Sequence, residues 1–228
     1  LAGEILHQPD LAWSLERISE QGANAFYSGD IAEKIIDFMG RSGGYISSQD
    51  LQLYQVKERA PIATNYRQHK IVTMPPSSVG GLALLQMLNV LKQFDLSSLD
   101  PGSARSLHLL AEVMKRVNAN RRQGIGDTDF VSVPIEGILS EELAKEIAAS
   151  IDLGKASSVS VINPIDANPY ESRETTHYSV MDDFGNAVST SYTLGYSFGS
   201  GLVVPGTGIL LDNQMRNFSH RELGHANE

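Results

Sequence analysis

Residue 175 marks a change of period, and that change limits how this chain can fold. Before it, apolar residues recur mostly at helical spacing. After it, "TTHYSVMD" alternates and is rich in β-formers. "DDFGN" supplies a turn, with Gly185 and Asn186 as the residues that tolerate positive φ, and "AVSTSYTL" returns as a second strand. Between the two regimes, Gly154 to Arg173 is rich in Ser, Asn, Pro and Asp and has no period. A structureless stretch of about twenty residues is uncommon inside a compact domain and is often functional. This one runs directly into Thr175.

The helical part has its own punctuation. "PDLAWSLERISEQG" predicts a helix with Asp10 as N-cap, Leu11, Leu15 and Ile18 on one face, and Gly22 as a stop. "GDIAEKIIDFMGRSGG" repeats the scheme, with Asp30 as cap and Gly40 at the end. "SSQDLQLY" predicts a short helix capped by Ser47 or Ser48. "PIATNYRQHKIVTMPP" predicts a hairpin of Ile62 to Tyr66 and Lys70 to Met74. A strongly apolar helix follows Ser77 and Ser78 and is expected to be buried. "ARSLHLLAEVMKRVNANRRQG" is a long amphipathic helix with its basic residues in the last turns, where the macrodipole favours them. "SEELAKEIAASI" starts at Ser140. Beyond the second hairpin, "GYSFGSGLVVPGTG" is glycine-rich and "ILLDNQM" predicts a further short strand.

A net charge of -9 argues against a nucleic-acid partner, because phosphate binding needs a basic face. No apolar run approaches the roughly 20 residues that span a bilayer. The chain has no cysteine, which excludes disulfides and Cys-based metal sites. "LAGEILHQPDLAW" has neither a basic leader nor a long apolar run, so the chain is expected to be a portion of a longer one.

Thr175 and Thr176 are either ordinary β-branched strand formers, or one of them is destined to become a chain end. Three neighbours favour the second reading. The pair sits where a long loop meets a strand. The returning strand "SYTLG" can bring Thr193 close to Thr175. A glycine-rich segment follows, where backbone can approach a ligand.

"TTHYSVMDDFGNAVSTSYTL…FGSGLVVPGTGILLDNQM" resembles the start of the small subunit of the γ-glutamyltranspeptidases, a family of N-terminal-nucleophile hydrolases. Upstream, "FYSGDIAEKI", "GGYISSQDLQLY", "MPPSSVGG" and "GDTDFVSVP" resemble, in the same order, the end of that family's large subunit. The resemblance implies an α+β fold, the αββα four-layer sandwich, present here as an incomplete portion. Residues 1–174 correspond to the large-subunit region and 175–228 to the small-subunit region, together one domain portion. It implies autocatalytic cleavage between Glu174 and Thr175, which gives Thr175 a free α-amino group. That amine, with an ordinary pKa near ~8, can take the hydroxyl proton of its own residue. Thr193 then matches the threonine that supports the nucleophile, and Gln214 a residue that holds the α-amino side of the γ-glutamyl group. The implied partners are glutathione, other γ-glutamyl compounds, acceptor amino acids or peptides, and the two subunits as a heterodimer. No cofactor or metal is implied, and the expected location is periplasmic or extracellular.

Two positions depart from the family's pattern. Gly195 stands where the family commonly has Asn, and Asn217 where it commonly has an Asp that pairs with the substrate ammonium. Loss of that carboxylate removes a charge-assisted bond worth about 1.5–3 kcal/mol. Two alternatives therefore stand beside γ-glutamyl transfer: an acylase for glutaryl or cephalosporin-type amides, and a non-catalytic homologue that serves as a binding module. The family's carboxylate-clamping arginine and its glycine-serine motif have no counterpart in this sequence, so the portion alone is expected to be inactive and uncleaved.

Other signals are weaker. "FGSG" and "PGTG" lack the Gly-Lys-Ser/Thr of a phosphate loop. "GDTD" is read as a turn and cap rather than a cation site. His177 shares a strand face with Thr175 on the alternating pattern and is expected to pack rather than act as base. His220 and His225 have no zinc-type partners.

Overall fold

The structure, a computed structural model, describes residues 3–158, 162 and 175–218; the side chains of 120–124 lie outside that description. The chain forms two compact units. One holds the described residues up to Lys57 together with those from Thr175 to Arg216, and the other begins at Glu58.

In the first unit, helices α1 (Pro9–Gln21), α2 (Ala23–Tyr27), α3 (Asp30–Ser42) and α4 (Ser48–Leu53) follow one another closely. Pro9 at the first helical position starts α1 with Gln8 as N-cap. Asp10 therefore sits inside the first turn, favoured by the macrodipole, and is not the cap expected of it. Asp30 is likewise the first residue of α3, after Gly29. Gly40 does not end that helix, which runs on to Ser42 and closes at left-handed Gly43. Ser47 caps α4 in a full capping box with Asp50. The side chains that fill the core are Ala25, Ile31, Ala32, Ile35, Met39, Leu51 and Val204. Leu15, expected on the inner face, is 59% exposed. Buried Ser14 faces inward instead, because its hydroxyl donates to the Thr207 carbonyl at 2.7 Å.

That bond ties α1 to the late glycine-rich segment. The chain there pairs β5 (Val203–Val204) with β6 (Ile209–Leu210), antiparallel, and Val204 enters the core beside α3. Gly208, at φ +66°, passes so close to α1 that a Cβ would lie 2.6 Å from the Leu11 nitrogen. The hairpin of β3 (Thr176–Met181) and β4 (Ala187–Tyr192) is exposed along nearly its whole length. Its turn is built by Asp182, whose carboxylate accepts from the Phe184 and Asn186 backbone N–H groups and from the Asn186 amide. The side-chain bond from Asn186 and the backbone bonds hold the Asp182 carboxyl below its ordinary value. Gly185 takes the positive φ; Asn186, expected to share it, does not.

In the second unit, β1 (Ile62–Tyr66) pairs with β2 (His69–Thr73), one residue earlier than expected for the second strand. Helix α5 (Val79–Leu91) is buried on most sides, as its apolar sequence requires, and packs on β1, α6 (Ala104–Gly124) and α8 (Glu141–Ala149). The short α7 (Ile135–Ile138) lies between α6 and α8 in sequence. Val90, Leu91, Leu109, Val113, Val117, Ala144 and Ile147 form the core. Ser103 and Ser140 cap α6 and α8 through their hydroxyls.

Inside this core stands a charged network. Glu112 is fully buried, and its carboxylate accepts from Arg116 Nη1 at 2.7 Å, from Lys115 Nζ and from the Ser157 backbone N–H at 3.1 Å. Arg116 also donates to the Ser150 hydroxyl and carbonyl. Burial pushes the Glu112 carboxyl up, but Lys115, Arg116 and Ser157 together outweigh it and hold it down at about 2. Two basic residues in the middle of α6 thus neutralise a buried acid. Among the described residues, no helix is long and apolar enough to cross a membrane.

Candidate active site

The β3–β4 register, continued one step past its last pair, sets the two candidate threonines opposite each other. The ladder pairs Met181 with Ala187, Ser179 with Ser189, His177 with Ser191, and closes with Thr176 opposite Tyr192. Thr175 and Thr193 are the next opposed positions. Because side chains alternate, Thr175, His177 and Ser179 share a face with Thr193, Ser191 and Ser189. Thr176, Tyr178 and Val180 take the other face with Tyr192, Thr190 and Val188. Of the adjacent threonines, Thr175 is therefore the one on the hydroxyl-lined side. Glu174, the expected residue before the cut, lies outside the described residues, as do most of Gly154 to Arg173, His220 and His225.

Past β4 the backbone bends at Gly195, which takes a positive φ. Thr193 Oγ1 accepts from the Gly195 N–H at 2.9 Å, which holds the side-chain oxygen in one position. Asn213 joins this bend to the last described turn: its N–H donates to the Leu194 carbonyl, and its Oδ1 accepts from the Tyr196 N–H at 3.1 Å. Gly195 is buried at φ +93°, and a Cβ there would meet Asn213 Oδ1 at 1.9 Å. The backbone and the Asn213 amide together leave no room for a side chain at 195. This position presents backbone alone.

Gln214 stands at the start of a 3₁₀-helix, Gln214–Asn217, not on the strand expected from "ILLDNQM". Asp212 explains the break: its carboxylate accepts from the Gln214 N–H at 2.8 Å and turns the chain out of the extended form. Arg216 stacks over the Tyr196 ring at 4.1 Å, a second tie between this turn and the bend after Thr193. Asn217 is exposed at the end of the same 3₁₀-helix.

His177 does not pack, contrary to expectation. Its Nδ1 lies 2.7 Å from Ser191 Oγ and its Nε2 3.0 Å from Ser189 Oγ, on the exposed polar face. The "GDTD" carboxylates form a turn, with Asp127 accepting from the Asp129 N–H, and both are ion-paired to Arg59 at 3.0 and 2.9 Å. Sequence reasoning did not find Asn213, Ser189 or Ser191. The alternation of hydroxyls in "STSYT" against "THYS" was the available signal for the serines; Asn213 had none, since its role depends on how the turn closes.

A helical half, a hairpin flanked by threonines and a glycine-rich bend together make an α+β chain with a hydroxyl nucleophile candidate in the residue just before a strand. The model of the gamma-glutamyltranspeptidase family matches residues 1–228, and the chain belongs to that family. It is similar to the glutathione hydrolase proenzyme of Escherichia coli (strain K12), 46% identical over 217 residues that cover 95% of this chain and 37% of the relative. It is also similar to the acylase ACY 1 proenzyme of Pseudomonas sp. (strain SE83), at 38% identity, covering 95% of this chain and 38% of that protein. Among solved structures, the cephalosporin acylase from Bacillus halodurans superposes with a TM-score of 0.83 at 28% identity, over 99% of this chain and 39% of the other. The chain spans less than half the length of the curated relatives it matches.

Proposed function

We propose that this chain is the junction region of a precursor that cuts itself before Thr175 and then uses Thr175 as an N-terminal nucleophile on amide substrates, γ-glutamyl amides such as glutathione first among them. The observation that carries the reading is the β3–β4 register, which ends with Thr176 opposite Tyr192 and, continued one step, sets Thr175 opposite Thr193, whose Oγ1 accepts from the Gly195 N–H. The Thr175 hydroxyl attacks the Glu174 carbonyl, the C–N bond breaks, and an ester forms with release of the α-amine. Water then hydrolyses the ester, leaving a Glu174 carboxylate and a free Thr175. In turnover the amine takes the hydroxyl proton, the hydroxyl attacks the substrate amide, and the proton passes to the departing amine. Water or an acceptor amino acid resolves the acyl-enzyme. Relatives named glutathione hydrolase proenzyme support this reading.

The full αββα sandwich, the division at 174/175 into subunits of a heterodimer, and a periplasmic or extracellular location belong to the same proposal. An acylase acting on glutaryl-type amides is the second reading. It is favoured by backbone at Gly195, by Asn217, and by similarity to proteins named acylase. The deciding experiment uses the full-length parent protein and compares kcat/KM for γ-glutamyl and glutaryl anilides, with mass spectrometry of the mature chains. Preference for the first supports transfer and preference for the second supports the acylase. A parent that is never cut before Thr175 and turns over neither substrate refutes both.

A further inference from the structure

We propose that His177 is a positioning residue that clips the two strands together beside the nucleophile, holding Thr175 against Thr193. The proposal rests on the reading of Thr175 given above. Thr175 and Thr193 lie one step beyond the last paired residues of the ladder. Two residues along, on the same face, the His177 ring spans the gap. One nitrogen meets Ser191, directly opposite, at 2.7 Å. The other meets Ser189, the next same-face position of β4, at 3.0 Å. Ser189 is in turn 3.2 Å from Ser179.

One neutral imidazole nitrogen donates and the other accepts, and each serine hydroxyl can take either role. A protonated ring donates from both nitrogens, and both serine oxygens can accept. The clip therefore survives protonation of the ring, and its function does not depend on the ring's charge. That separates it from a catalytic base. A base needs a nitrogen open to the reacting hydroxyl, whereas both nitrogens here are engaged by β4. A side chain kept merely for packing needs no polar partners and does not stand exposed on a strand.

The test uses the full-length parent with His177→Phe, which keeps a ring and loses both nitrogens, and His177→Gln, which keeps a donor and an acceptor. For His177→Phe we expect self-cleavage and kcat to fall about 10- to 100-fold, the scale of a misplaced reacting group, with KM unchanged within about twofold. His177→Gln is expected to recover most of the loss, and the acid limb of its pH–rate profile to stay where the parent's lies. A Phe variant with the parent's kcat overturns the proposal. So does a Gln variant as impaired as Phe, or an acid limb that moves in the Gln variant, which makes the ring the base itself. Should His177→Phe fail to fold, Ser189→Ala/Ser191→Ala decides: an unchanged kcat overturns the clip, and the same selective loss supports it. Failure of the parent itself to mature or turn over any amide sinks the underlying reading instead, so the two failures are distinct.

Discussion

Replacing Glu112 with Gln tests the energetics of the second unit. The substitution keeps size and shape but removes the charge that Arg116 and Lys115 face. Arg116 is 8% exposed and is left as a buried cation facing neutral acceptors alone: the Gln amide oxygen, Ser150, Ser157 and the backbone carbonyl of position 112. Breaking a buried pair from one side costs about 3–5 kcal/mol. At about 2–4 °C per kcal/mol for a chain of this size, the melting temperature is expected to fall by about 6–20 °C at pH 7. The Glu112 carboxyl is held at about 2 in the folded chain, below its ordinary 4.5. Its contribution is therefore fully present above pH 4.5 and is lost as pH falls toward 2, where protonated Glu112 and Gln become equivalent. Thermal melts followed by circular dichroism at pH 7, 4 and 2 are expected to show a gap between parent and variant that closes on acidification. Melts within 2 °C at pH 7, or a gap that persists undiminished at pH 2, refute the reasoning. The double variant Glu112→Gln/Arg116→Met is expected to cost less than the sum of the singles, since the orphaned cation is then gone.

Gly195→Asn is expected to destabilise the first unit by about 1–3 kcal/mol, because the left-handed backbone is strained and Asn213 occupies the space; a chemical denaturation midpoint no lower than the parent's contradicts this. Asn217→Asp in the full-length parent is expected to raise the ratio of γ-glutamyl to glutaryl turnover about 10- to 100-fold, the worth of one charge-assisted bond. A ratio that does not change removes residue 217 from specificity. Ser47→Ala removes the capping box of α4 and is expected to cost about 1 kcal/mol, measured by urea unfolding.

Long segments were legible because period and caps agree. The span of α6 follows from its amphipathic repeat, and the buried α5 from its apolar run. Starts were misplaced where a proline or glycine did the work assigned to an acid, as at Asp10 and Asp30. Gln214 was misplaced because a local bond from its own N–H to Asp212 overrides the strand propensity of the residues before it. At the site, alternation alone foretold that Thr175 and His177 share a face. It did not foretell what meets His177, since that depends on the register with β4, which the turn at Asp182 sets. The closure of Gly195 by Asn213 lay beyond any local pattern: the two are far apart in sequence and meet only once the bend after Thr193 has formed.

The seam between α1 and the loop at Thr207 and Gly208 joins the two ends of any chain severed ahead of Thr175. The later piece carries Val204 as a plug seated among α3 side chains, and the earlier piece carries the socket. A nick at that point thus leaves no loose half. The fragments are expected to travel as one particle through a sizing column and to separate only when the socket itself melts.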